Sequence, residues 1–294
     1  MITVFGSINL DLIFPMDRLP GPGETMLGPD VLMQPGGKGA NQAVAAALDG
    51  AEVRMVGAVG SDGLADIALS GLVAAGVDLR AVTRERGITG CAAIATDPAG
   101  RNLIIGGSGA NQSARADQVE DFMLEPGQTV LMQMEVPMQE LASLIARNRG
   151  ARLVLNLAPP RPMPLDLYRA LDILVVNEHE AGWLATHLGI ADDAGSLHAR
   201  LGCVVVRTLG GEGAEWAGQE AGQGAGHMPA VAVNAVDTTA AGDCFTGVMA
   251  AGLDRGLPLH DALRRASAAA AICCTRRGSQ GSLPTAAEID AVGD

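Results

Sequence analysis

Residues 234–247, N-A-V-D-T-T-A-A-G-D-C-F-T-G, place a carboxylate, Asp243, directly behind Ala240, Ala241 and Gly242 at the start of a helical pattern. The first turn of a helix carries N–H groups without intrahelical partners, and small side chains leave them open to an anion. A carboxylate in that turn can take a proton from a hydroxyl while the amides hold a phosphoryl group. Those are the two requirements of phosphoryl transfer to an alcohol. Taken alone, the stretch equally suits an ordinary capped helix with Asp in its first turn.

A second stretch, Q-P-G-G-K-G-A-N-Q-A-V-A-A-A (34–47), holds the only lysine; the other nineteen Lys/Arg side chains are arginine. A composition rich in Ala, Gly and Arg explains why lysine is scarce, but not where this one stands. Gly36 and Gly37 permit close backbone approach, and Gly39-Ala40-Asn41 open a helix. Lys38 is a compact cation with three donors, for which a planar guanidinium is no substitute. The position suits contact with a substrate hydroxyl or a carboxylate; the plainer alternative is an exposed turn lysine.

Other polar residues stand at strand ends. Asn9 and Asp11 follow the first apolar run and share a face in extended chain. Glu135 closes M-Q-M-E. In N-E-H-E, Asn177 and Glu180 have the spacing of a capping box, and a carboxylate at a sheet edge can also hold hydrated Mg²⁺. T-L-G-G-E-G (208–213) is a Gly-rich loop at a strand end. The five histidines show no metal-site pattern. No Walker P-loop, dinucleotide fingerprint after the first strand or G-x-S-x-G elbow is present.

These residues need a scaffold, and the chain supplies one in short apolar runs alternating with helical segments. Runs at 2–8, 52–60, 129–135, 152–160, 171–177 and 203–210 read as strands, with helices at 39–51, 65–77 and 240–256. That order predicts an α/β fold with a mostly parallel central sheet covered on both faces. Two segments break the rhythm. Residues 10–35 are Pro/Gly-punctuated, and 88–108 read as a hairpin turning at Asp97-Pro98-Ala99-Gly100. Together they predict a small antiparallel sheet, a candidate lid, beside one domain spanning 1–294. Residues 217–229 read as a Gly-rich turn between two strands.

Bulk properties narrow the partners. A formal net charge of −13 opposes nucleic acid and anionic membranes. No apolar run reaches the roughly 18 residues of a spanning helix, and the N-terminus reads as a strand rather than a signal peptide. Five cysteines without metal-type spacing read as reduced, mostly buried thiols of a cytoplasmic protein.

Together and in this order, the segments resemble the ribokinase family of ATP-dependent sugar kinases, the PfkB-type fold. G-G-K-G-A-N-Q-A and V-D-T-T-A-A-G-D match its two signatures, and G-S-I-N, M-Q-M-E, N-E-H-E-A, T-L-G-G-E-G and C-T-R-R-G-S-Q-G-S fall in the right places. The resemblance implies a ribokinase-like three-layer sandwich with a small β-sheet lid. It implies Asp243 as the general base for the 5-hydroxyl of D-ribose, and the N–H groups of Ala240, Ala241 and Gly242 as the anion hole. Asn9, Asp11, Gly37, Lys38, Asn41 and Glu135 would bind the sugar. Asn177, Thr208, Gly210, Gly213, Gly242 and Ser267 would face ATP, with Ser267 standing where the family often has histidine. Glu180 would hold Mg²⁺ through water. Asp237, Thr239, Cys273, Arg276, Gly278 and Ser282 would surround a monovalent cation, K⁺, several through carbonyls. The lid would close over the sugar and pair two subunits as a homodimer. Fructose, a deoxysugar acid or a nucleoside is the alternative substrate, and a non-catalytic sugar-binding relative the alternative role; Asp243 argues against the latter.

Overall fold

The computed structural model describes residues 1–98, 101–220 and 223–293. The chain runs β1 (Ile2–Phe5), β2 (Asn9–Pro15), β3 (Leu32–Gly36), α1 (Lys38–Leu48), β4 (Val53–Gly60), α2 (Ala65–Ala74), β5 (Asp78–Glu85), β6 (Gly90–Thr96) and β7 (Asn102–Gly107). It continues through β8 (Thr129–Gln133), α3 (Met138–Arg147), β9 (Arg152–Asn156), α4 (Leu165–Arg169), β10 (Ile173–Asn177), α5 (Glu178–Leu188), α6 (Ala194–Leu201) and β11 (Val204–Thr208). It closes with β12 (Ala214–Glu220), β13 (Gln223–Met228), α7 (Ala241–Asp254), α8 (Leu259–Cys274) and α9 (Ala286–Gly293).

The main sheet has the order β13-β12-β11-β10-β9-β8-β1-β4-β5. Its neighbours from β11 to β5 are parallel, and β12 and β13 add an antiparallel edge. Side chains alternate between two cores, as strand pleating requires. On β10, Ile173 and Val175 pack with α1, α7 and α8, while Leu174 and Val176 pack with α3, α5 and α6. The result is three layers. Chain order reverses at β1, which lies between β4 and β8, and an open α/β sheet binds ligands beyond its strands' C-terminal ends at such a point.

The second sheet, β3-β2-β6-β7, is built from the two segments that broke the rhythm. It is mixed rather than antiparallel, because β2 pairs β6 in parallel, Asn9 opposite Gly90. The first strand is also shorter than 2–8. It ends at Phe5, and Gly6, Ser7 and Ile8 carry the chain across to β2. Residues 217–229, read as a turn, are mostly the two strands of a β12–β13 hairpin. Of the expected turns, Ala99, Gly100, Ala221 and Gly222 lie outside the described residues.

Candidate active site

The strand ends of the main sheet and the head of α7 enclose a cavity of about 220 Å³. Asn156 reaches it from β9, Asn177 from β10, Thr208 from β11, and Lys38 from the first turn of α1. Asp243, Gly242, Ala240 and Thr246 line the side formed by α7, and Glu180 enters from α5.

Helix α7 starts abruptly. Its N-cap, Ala240, has φ 60° and ψ 6°, the only non-glycine positive φ among the described residues. A β-carbon in the left-handed region is strained by about 1–3 kcal/mol, and such strain clusters at functional sites. Ala240 and Gly242 face the cavity, whereas the Ala241 N–H donates to the Thr238 carbonyl at 3.2 Å. Asp237 organises the approach to the helix. Its Oδ1 accepts from Thr239 N at 2.9 Å and Thr239 Oγ1 at 2.7 Å, and its Oδ2 accepts from Gly278 N at 3.0 Å. Burial pushes the Asp237 carboxyl up, but these hydrogen bonds outweigh it and hold the group below its usual range.

Helices α1 and α7 approach closely because their facing residues are small. A β-carbon at Gly247 would lie 2.4 Å from the Gln42 carbonyl and 2.9 Å from Ala45 Cβ. This proximity lets two successive α1 side chains reach Asp243. Asn41 Nδ2 donates to Oδ2 and Gln42 Nε2 to Oδ1, each at 2.9 Å.

The residues expected around the sugar converge between the second sheet and α1. Asn9 Oδ1 accepts from Asn111 Nδ2 at 2.7 Å. Asp11 is buried against Gly36, where a β-carbon would sit 2.1 Å from its Oδ2. Gly37, at φ 91°, passes so near Asn9 N that a β-carbon would fall 2.7 Å away. Glu135, two residues past β8, accepts from Ser7 Oγ and, at 3.4 Å, from Lys38 N. The site gathers four carboxylates around one ammonium. Asp243 leads in raising Lys38 above the usual lysine value; burial opposes this, and Glu135, Glu180 and Asp11 add to it. Burial, then Glu135 and Asp243, push Asp11 up to about 6. Burial also raises Glu180.

Asn177 and Glu180 form the capping box that their spacing predicts. Asn177 N donates to Glu180 Oε2 and Glu180 N to Asn177 Oδ1, both at 2.8 Å, while both residues also line the cavity. Three residues expected at the nucleotide stand outside the cavity wall. Ser267 is buried in α8. Gly210 lies in the turn after β11, and Gly213 has φ 99° where a β-carbon would meet the Met228 carbonyl at 1.9 Å, so hairpin geometry alone demands glycine there.

In the expected cation loop, Cys273 turns its Sγ toward Ser282 Oγ at 3.0 Å and the Thr239 carbonyl at 3.7 Å. Arg276 pairs with Glu288 at 2.6 Å. Neither side chain is free to ligate a cation, so each could offer only its carbonyl. Beside Asp243, Cys244 is fully buried; the neighbouring Cys273 thiol, together with burial, pushes its thiol well up, which suits packing. Among the described residues, no three of His, Cys, Asp and Glu gather into a metal cluster. Sequence reasoning missed Gln42, Asn156 and Thr246. Asn156 carried a signal of its own, a polar side chain at a strand's C-terminal end.

The description "pfkB family carbohydrate kinase" matches residues 1–286, and the chain belongs to that family, the class of enzyme that the layered fold and its cavity define. The chain is 35% identical over 298 residues to ribokinase of Haemophilus influenzae, covering 98% of this chain and 96% of that one. Ribokinase of Thermotoga maritima matches with a TM-score of 0.91 at 32% identity, covering 100% of this chain and 99% of that one. Arabidopsis thaliana ribokinase, solved with ribose and ATP, matches with a TM-score of 0.82 at 28% identity, covering 99% and 97%.

Proposed function

We propose that this chain is an ATP-dependent ribose kinase that transfers the γ-phosphate to the 5-hydroxyl of D-ribose. One observation carries the reading: Asp243 stands in the first turn of α7, lining the same cavity as Lys38, with both carboxylate oxygens oriented by donors. The near full-length likeness to ribokinases supports the choice of sugar.

Asp243 accepts the proton of the sugar hydroxyl as the oxygen attacks phosphorus. The amides at the head of α7, those of Ala240 and Gly242 foremost, stabilise charge on the transferring group. Asn9, Asp11, Gly37, Lys38, Asn41 and Glu135 hold the sugar so that its hydroxyl meets Asp243 in line. Asn177 and Thr208 face the nucleotide. Four carboxylates beside one ammonium repel a polyphosphate, so the site needs a further cation. Mg²⁺ binds through few carboxylates, several waters and substrate phosphates, and there it would neutralise charge on the phosphates. Glu180, with one oxygen held in the capping box, suits a water-mediated hold on it. A monovalent cation beside the anion hole would be held by Asp237 and by carbonyls of the 239 and 273–282 segments.

On this reading the second sheet is a lid, since β2 carries Asn9 and Asp11 straight from β1 into it. Its exposed Leu32, Met33, Ile104 and Ile105 suit pairing with a second copy in a homodimer. No helix among the described residues is long and apolar enough to cross a membrane. The free cysteines suit a reducing compartment, and we place the enzyme in the cytoplasm.

The test is an ADP-release screen over pentoses, hexoses and nucleosides with Mg²⁺-ATP, with and without K⁺. Ribose is expected to give the highest kcat/KM, with K⁺ raising it. A different preferred acceptor, or sugar binding without ADP release, would contradict the reading.

A further inference from the structure

Behind the two amides that touch Asp243 stand two more, and the four form converging relays. Gln280 Nε2, from the segment after α8, donates to Asn41 Oδ1 at 3.1 Å. Gln133 Nε2, at the end of β8, donates to Gln42 Oε1 at 2.7 Å. The Gln42 amide uses both its hydrogens, one on Asp243 Oδ1 and one on Asn156 Oδ1 at 3.0 Å. Asn156 is itself oriented, because its Nδ2 donates to the Val175 carbonyl at 3.3 Å. A backbone carbonyl only accepts, so Asn156 must turn its NH₂ to Val175 and its oxygen to Gln42. Gln42 must then present Nε2 to Asp243 and Oε1 to Gln133.

Both relays end the same way. Gln133 Oε1 and Gln280 Oε1 are buried with no hydrogen-bond partner. Each is pressed against a glycine: a β-carbon at Gly6 would lie 1.9 Å from Gln133 Oε1, and one at Gly71 would lie 1.8 Å from Gln280 Oε1. An orphaned buried oxygen is destabilising, and such groups call for an explanation. Turning Gln133 over would set its oxygen against Gln42 Oε1, and turning Gln280 over would set its oxygen against Asn41 Oδ1. The fold thus keeps two unsatisfied atoms while both relays deliver N–H groups to Asp243.

We propose that Gln42, braced by Gln133 and Asn156, is a positioning residue for phosphoryl transfer. It fixes the carboxylate plane of Asp243 from the Oδ1 side while Asn41, braced by Gln280, fixes it from the other. The inference rests on the reading of Asp243 as the base. A general base must hold an acceptor oxygen within hydrogen-bond reach of the hydroxyl, about 2.6–3.2 Å, and a freely rotating carboxylate does not. One donor on each oxygen sets that rotation, and both oxygens keep lone pairs for the substrate proton. Gln42 is buried between α1, α7 and β8, so it acts on the sugar only through Asp243.

Steady-state kinetics with ribose and Mg²⁺-ATP test this. Gln42→Met keeps the length of the side chain and removes the donor. It is expected to lower kcat about tenfold or more, with the ribose KM within about twofold of wild type, because the sugar set remains. A raised ribose KM at unchanged kcat would overturn the proposal. Two variants that do not touch Asp243 separate orientation from packing. Gln133→Met removes the brace. Gln133→Leu removes it in a branched side chain of similar bulk. In both variants kcat is expected to fall below wild type at constant ribose KM; wild-type kcat in both would overturn the relay, even if Gln42→Met failed to fold. Asp243→Asn in parallel separates the two readings. If Asp243→Asn turns over normally, the base assignment itself fails. If it is inactive while Gln42→Met is normal, only the positioning role fails.

Discussion

Lys38 and Asp243 face one cavity, and the carboxylate is the largest single influence holding the ammonium charged against burial. The pairing explains why the chain's one lysine sits at the head of α1. A buried cation among Asp11, Glu135, Glu180 and Asp243 lets an acidic site keep its carboxylates close together.

Lys38→Arg is predicted to raise the ribose KM about tenfold, because a planar guanidinium cannot occupy the place of a compact ammonium behind Gly36 and Gly37. Separate KM values for ribose and ATP check this. A rise confined to ATP would assign Lys38 to the nucleotide instead.

Asp11 makes stability depend on pH. Its folded pKa is raised to about 6 from an ordinary value of 3.8, so the folded state binds the proton more tightly than the unfolded chain. Its contribution to stability is therefore fully present below about pH 4 and is lost as pH rises through about 6. The shift of about two units corresponds to roughly 3 kcal/mol at most. Asp11→Asn is expected to melt higher than wild type at pH 7.5, with the gap narrowing at pH 5, while ribose KM rises. Thermal midpoints at the two pH values decide it; a gap independent of pH would refute the burial argument.

Close packing of α1 on α7 predicts an asymmetry between two helical glycines. Gly247→Ala should destabilise by about 1–2 kcal/mol, because overpacking against Gln42 and Ala45 exceeds the helix-propensity gain. At Gly182, in α5, a β-carbon would meet nothing within 4 Å, so Gly182→Ala should stabilise by about 0.5–1 kcal/mol. Denaturant midpoints measure both, and stabilisation by Gly247→Ala would show that the helices have room to spare.

Much of this architecture was legible because it rests on local rules. The near-continuous apolar runs gave the buried strands, and Asn177 and Glu180 form the box that their spacing dictates. Strand β5 was missed because D-L-R-A-V-T-R-E is an edge strand whose residues are partly buried or exposed, so its charges interrupt the apolar signal. The second sheet reads as antiparallel because 88–108 reads as a hairpin beside the extended segments of 10–35. The parallel β2–β6 pairing joins residues far apart in sequence, which no local pattern encodes. Gln42, Gln133 and Gln280 were invisible for the same reason. A glutamine in an Ala-rich helix reads as solvent-facing until α7 and β8 close over it.

Whether Asp243 is the base is decided by turnover of Asp243→Ala with ribose and Mg²⁺-ATP, with ribose binding followed by thermal stabilisation. A loss of about 10²–10⁴ in kcat with ribose still bound is expected, the range seen when a general base is removed. Turnover near the wild-type rate would contradict it.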